Sequence, residues 1–124
     1  MTGLFNYPKR KLKKLISQGE YEKAIELGNE LEAKSPNDSD LLFILGSMFY
    51  MLNDEKKTLH YIDRVLETSP YDVESLSLKL RVHQFLKEDE IVIECCKKIL
   101  DIAPDNFEVR DLISELESKD SSGI

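Results

Sequence analysis

Three prolines recur at a spacing of 34 residues, Pro36, Pro70 and Pro104. Their frames are alike: Ser35-Pro36-Asn37-Asp38, Ser69-Pro70-Tyr71-Asp72 and Ala103-Pro104-Asp105-Asn106. A fixed period of this length marks one supersecondary unit copied along the chain. Such a unit cannot bury its apolar face alone and must stack on its neighbours, so the chain reads as a short linear array.

The spacing between prolines predicts paired helices, because apolar residues recur at helical intervals and polar breaks cut them. Pro8 suits the first turn of a helix, with Asn6 or Tyr7 leading in, and this helix runs to residue 17 before Gln18-Gly19. Further helices are expected over 21–34, 40–52, 55–68, 72–86, 89–102 and 107–119. Asp38 or Ser39, and later Asp105 or Asn106, are suitable caps, since a short polar side chain accepts from an orphan N–H. Ser35-Pro36 ends the second helix, because the residue before proline is pushed out of the helical region. One domain over 1–119 is expected, with repeats at about 5–38, 39–72 and 73–106, a capping helix at 107–119 and a disordered tail at 120–124.

Leu42, Leu45, Gly46 and Phe49 fall at the offsets of the motif W-x2-L-G-x2-Y, and Gln18 to Ile25 carry the matching start of a second helix, with Ala24 twelve residues before proline. On these residues and the 34-residue period, the chain over about 5–119 resembles the tetratricopeptide repeat family. It departs at Thr58 and Val92 in place of that alanine, Leu12 and Leu80 in place of the glycine, Leu15 and His83 at the aromatic, and Cys96 eight before Pro104. The resemblance implies an all-α right-handed superhelical solenoid of antiparallel helix pairs, about seven helices in all. It implies a non-catalytic scaffold or adaptor that holds a peptide or protein segment in a concave groove lined by the first helix of each pair.

Carried onto this chain, the groove is expected to use Lys9, Lys13, Phe43, Ser47, Tyr50, Met51, Arg81, Gln84 and Phe85, flanked by Ile16, Ser77, Asp111 and Glu115. Lys9, Lys13 and Arg81 would orient an acidic or C-terminal-carboxylate peptide, while Asp111 and Glu115 repel acids at the far end. Two readings of Phe43, Tyr50 and Met51 stand side by side: core packing against neighbouring helices, or aromatic anchors in an open groove. The clamp that some members use for chaperone C-termini is not expected. Lys9 matches it, but Lys13 and Ile44 stand at its asparagine positions, and Glu74 and Leu78 replace its final cations. A self-associating subunit, a homodimer included, is the alternative: Leu4, Phe5 and Tyr7 packing on another copy would mark it, whereas folding back on their own groove would make the chain self-capped.

Charge narrows the partners. The first 14 residues hold Lys9, Arg10, Lys11, Lys13 and Lys14 with no acid, and the other 110 hold 12 bases against 24 acids. So acidic a body argues against nucleic acid, which needs a cationic face. The basic run reads either as a solvated face or as a contact for an anion, an acidic protein or a membrane surface. No stretch has the apolar length of a membrane span or of a signal peptide core. Cys95 and Cys96 are neighbours about 100° apart on a helix, unable to converge on one ion, with Cys96 expected buried and Cys95 more exposed. His60 and His83 are isolated, so no enzyme, metal or cofactor is expected, and a reducing cytoplasmic setting is the simplest reading.

Overall fold

The computed structural model describes residues 2–122, with side chains over 7–119. Every regular element among them is an α-helix: α1 (Thr2–Ser17), α2 (Tyr21–Lys34), α3 (Ser39–Met51), α4 (Glu55–Thr68), α5 (Val73–Phe85), α6 (Asp89–Ile102) and α7 (Phe107–Ser122). Bounds follow the punctuation of the sequence, with two departures. Helix α1 begins six residues before Pro8, which lies inside it. Proline keeps a helical φ, so the helix continues past it at the loss of one i→i−4 hydrogen bond. Helix α7 runs on through Ser122, past the end expected at residue 119. Gly123 and Ile124, the end of the expected disordered tail, lie outside the described residues.

The period of 34 is written into the backbone. Gly19, Asn53 and Lys87 are one period apart and adopt φ of +75°, 59° and 60°. Each closes the turn between paired helices with the same bonds. Gly19 N–H donates to Ile16 O and Glu20 N–H to Leu15 O; Asn53 and Asp54 repeat this on Tyr50 and Phe49, and Lys87 and Glu88 on Gln84 and His83. These are Schellman closures, which satisfy carbonyls the helix leaves open. The proline turns repeat as well, with Asp38, Asp72 and Asn106 N–H donating to Ser35, Ser69 and Ala103 O. The same three residues then cap α3, α5 and α7 through their side chains, accepting from Leu41, Ser75 and Val109 N–H at 3.2, 3.1 and 3.1 Å.

The chain divides into two compact units, residues 1–64 and 65–124. In the first, α1 packs on α2 and α3, and α2 on α3. Leu12, Ala24, Leu45, Met48 and Ile62 are buried there, and Gly28 and Gly46 lie beneath Leu45 and Ile62. Thr58 occupies an alanine position at 0 % exposure, its hydroxyl bonded to Asp54 O at 2.8 Å, so its burial leaves no polar atom unmet. Arg64 joins elements distant in sequence: its guanidinium donates to Glu32 Oε2 at 2.8 Å and to Pro36 O at 2.7 Å, while Tyr61 Oη donates to Glu32 Oε1 at 3.1 Å. In the second unit α6 packs between α5 and α7. Leu76, Leu80, Val92, Cys95, Cys96, Ile99 and Val109 form its core.

Candidate functional site

The face of α3 that the family pattern assigns to a groove is graded from half-buried to open. Phe43 and Ser47 are half-buried, Tyr50 is 39 % exposed and Met51 54 %. Asp38 caps this helix and the Asn53 turn stops it, so its last turn carries Tyr50 and Met51 at a fixed end. The opposite face, with Leu41, Leu45 and Met48, is core. Ile44, at a position where a clamp would carry asparagine, is buried at 6 %. In the second unit, Arg81, Gln84 and Phe85 on α5 are all exposed, Phe85 at 72 %. The large apolar side chains Tyr71 and Phe107 of this unit also stand in water, at 54 % and 71 %.

Lys9 is half-buried and engaged within the chain. Its Nζ lies 3.0 Å from Asp38 Oδ2 and 3.4 Å from Asp40 Oδ2. The hydrogen bond to Asp38 holds the Lys9 ammonium above its usual range. Desolvation pushes the Asp38 carboxyl upward, but the bonds from Lys9 and from Leu41 N–H outweigh it, and the net shift is downward. This pairing joins α1 to the cap of α3. Lys13 is exposed. The basic run at 9–14 lies in the C-terminal half of α1, with Lys14 in its last turn, where the macrodipole favours cations. Leu4 and Phe5 lie outside the residues whose side chains are described, and Tyr7 is 62 % exposed.

Cys95 is buried like Cys96, at 3 % and 0 %. The expected exposure of Cys95 fails because α6 is covered on two sides, by α5 and by α7, so its buried arc is wider than one face. Burial, with Cys95 adding to it, pushes the Cys96 thiol from an ordinary 9.0 to about 11. Tyr61 is also raised, by desolvation and then by the charge and hydrogen bond of Glu32. Both groups favour their protonated forms in the folded chain. Their stabilisation is complete below the unfolded-state values and is lost as pH rises through the folded ones. Stability is therefore expected to fall from about pH 9 upward, with a loss centred between pH 9 and about 11 for Cys96. Iodoacetamide at pH 8 should leave both thiols intact in the native chain and alkylate both in urea; rapid labelling of the native chain would contradict the burial.

His83 is buried at 7 %, and its Nδ1 lies 3.1 Å from Glu88 Oε2, so Nδ1 carries the proton and donates to the carboxylate. His60 Nε2 lies 3.3 Å from Arg64 Nη1, and since a guanidinium only donates, Nε2 accepts. Among the described residues no three side chains of metal-ligating type come together, and no helix is long and apolar enough to cross a membrane. The Arg64–Glu32–Tyr61 contacts join residues 32 and 29 positions apart, and no local pattern in the sequence marks them.

No protein-family model matches the sequence, and no curated protein matches it. Solved structures do. One is the first tetratricopeptide-repeat domain of Spaghetti (RPAP3) bound to the HSP90 peptide SRMEEVD, with a TM-score of 0.78, 17 % identity, and coverage of 93 % of this chain and 91 % of that one. At that identity the likeness is one of fold. Among the described residues every regular element is helical, seven helices in all, and the fold is like that of a tetratricopeptide-repeat domain.

Proposed function

We propose that the chain is a non-catalytic adaptor that binds a peptide or protein segment on the first-helix faces of its repeats. The observation that carries this is the likeness of fold, over 93 % of the chain, to a domain whose structure holds a bound peptide. The graded face of α3 supports it. Half-buried Phe43 and Ser47 would form the floor, and Tyr50 and Met51 would be anchors with apolar area still to bury. Arg81, Gln84 and Phe85 would serve in the second unit, and exposed Lys13 would supply a cation in the first. Lys9 would act as a strut, because Asp38 and Asp40 already hold it.

Affinity capture from cell extract, with wild type beside the folded double variant Tyr50→Glu/Met51→Glu, tests the reading. A protein held by the wild type and lost from the variant is the expected result. Equal retention by both would remove the α3 face from consideration. The peptide SRMEEVD is expected not to bind, because Ile44 is buried where the clamp would use an amide, and Lys9 is paired. A homodimer is the second reading, favoured by the exposure of Phe85 and Phe107 at 72 % and 71 %. Mass that rises with concentration, and falls back in Phe85→Glu, would support it.

A further inference from the structure

The outward face of α1 is a second surface, and its chemistry differs from that of α3. Tyr7, Arg10, Lys11, Lys14, Leu15 and Gln18 line a concavity of about 530 Å³. At about 100° per residue, Lys11 lies about 160° around the helix from Lys9, so the concavity faces away from the Lys9–Asp38 contact. Helix α1 contains no acid from Thr2 to Ser17. Among the described residues, Lys11, Lys13 and Lys14 make no ion pair. Lys11 and Lys14, at i and i+3, are like-charge neighbours, an arrangement that destabilises an isolated helix and that a bound anion relieves.

We propose that this face docks an acidic peptide segment of a partner protein, separately from whatever binds α3. Tyr7, Lys11, Lys14 and Gln18 stand at i, i+4, i+7 and i+11, a stripe about 16 Å long. An extended segment of about five residues spans that length. Exposed Tyr7 at one end and half-buried Leu15 beside Lys14 add apolar surface, which suits a peptide that alternates carboxylates with an apolar side chain. A long polyanion fits less well. Outside residues 1–14 the chain holds 12 bases against 24 acids, so nucleic acid or an anionic bilayer extending past α1 meets repulsion.

The test is fluorescence anisotropy of the full chain with a fluorescein-labelled heptapeptide, six glutamates around a central leucine. It is read at about 50 mM and about 200 mM NaCl, with amide NMR shifts recorded beside it. The wild type should bind, more weakly at the higher salt, with shifts concentrated over residues 7–18. Lys11→Glu/Lys14→Glu should weaken binding by about tenfold or more, whereas Lys34→Glu/Lys97→Glu, the same charge change at exposed sites elsewhere, should alter it by less than about threefold. If the double glutamate variant loses its helical circular dichroism, Lys11→Gln/Lys14→Gln replaces it, with a smaller loss in the same direction. Equal loss in both double variants, no binding by wild type, or shifts outside α1 would overturn the proposal. Tighter binding to phosphatidylserine-rich vesicles or single-stranded RNA than to the peptide would also overturn it. Shifts on α7 at rising protein concentration, without peptide, would give the face to a second copy instead.

Discussion

Gly46→Leu is expected to lower the stability of the chain by about 3 kcal/mol, through overpacking at a helix crossing with no slack. A Cβ at Gly46 would stand 2.7 Å from Ile62 Cδ1, 2.9 Å from Ile62 Cγ1 and 3.4 Å from Tyr61 Cβ. Tyr61 Cβ is fixed by the backbone, and Ile62 Cγ1 moves only with χ1, which branching at Cβ restricts. Ile62 is fully buried, and Tyr61 is held by its stack on Phe49, centroids 5.7 Å apart, and by Glu32. Gly28 provides the contrast. A Cβ there meets the tip of Leu45, Cδ2 at 2.6 Å, with Cγ at 3.8 Å, and a rotamer change can move that methyl. Alanine in place of glycine inside a helix gains about 1 kcal/mol in propensity. Gly28→Ala should therefore be close to neutral, and Gly46→Ala should remain destabilising. Urea denaturation of the three variants decides it; equal midpoints for the two alanine variants would mean that α3 and α4 can part without cost.

Ile99→Ala should cost about 3–4 kcal/mol, the range for removing a large aliphatic side chain from a closed core. Ile99 has no exposed surface and sits among Leu76, Leu80, Val92, Cys95, Cys96 and Val109. Ile102 lies one turn further along the same helix and is 43 % exposed, so Ile102→Ala is expected to change stability by less than about 0.5 kcal/mol. The pair separates packing from helix propensity, since both variants make the same chemical change in α6. A domain's whole stability is about 5–15 kcal/mol, so the first loss is large on that scale. If Ile99→Ala cost no more than Ile102→Ala, the α5–α6–α7 core would be looser than its burial implies.

Local punctuation made most of the helices readable. Ser-Pro dipeptides, Asp caps and the Gln18-Gly19 break act within a few residues, and α2, α4 and α6 begin and end where those signals lie. The start of α1 was hidden because Pro8 is compatible with either a first turn or an interior position, and only the fate of the residues before it decides between them. Cys95 departs from its expected exposure for a tertiary reason, since a helix packed on two sides buries neighbouring residues that a single amphipathic face would separate. The same limit applies to the candidate site. Helical spacing placed Phe43, Ser47, Tyr50 and Met51 on one face, but their gradient from half-buried to exposed depends on helices elsewhere in the chain. The engagement of Lys9 by Asp38 crosses 29 residues, and no local pattern encodes it.

Glycine, asparagine and lysine share one left-handed turn at Gly19, Asn53 and Lys87. Asparagine tolerates that conformation and lysine resists it, so the closing bonds, made between backbone atoms, hold the turn whichever side chain is present. A lineage built this way can mutate its signature residues one after another while the metre of its backbone stays constant. Ancestry then fades from the letters long before it fades from the shape, and the outward faces can be rewritten for new partners without redrawing the turns.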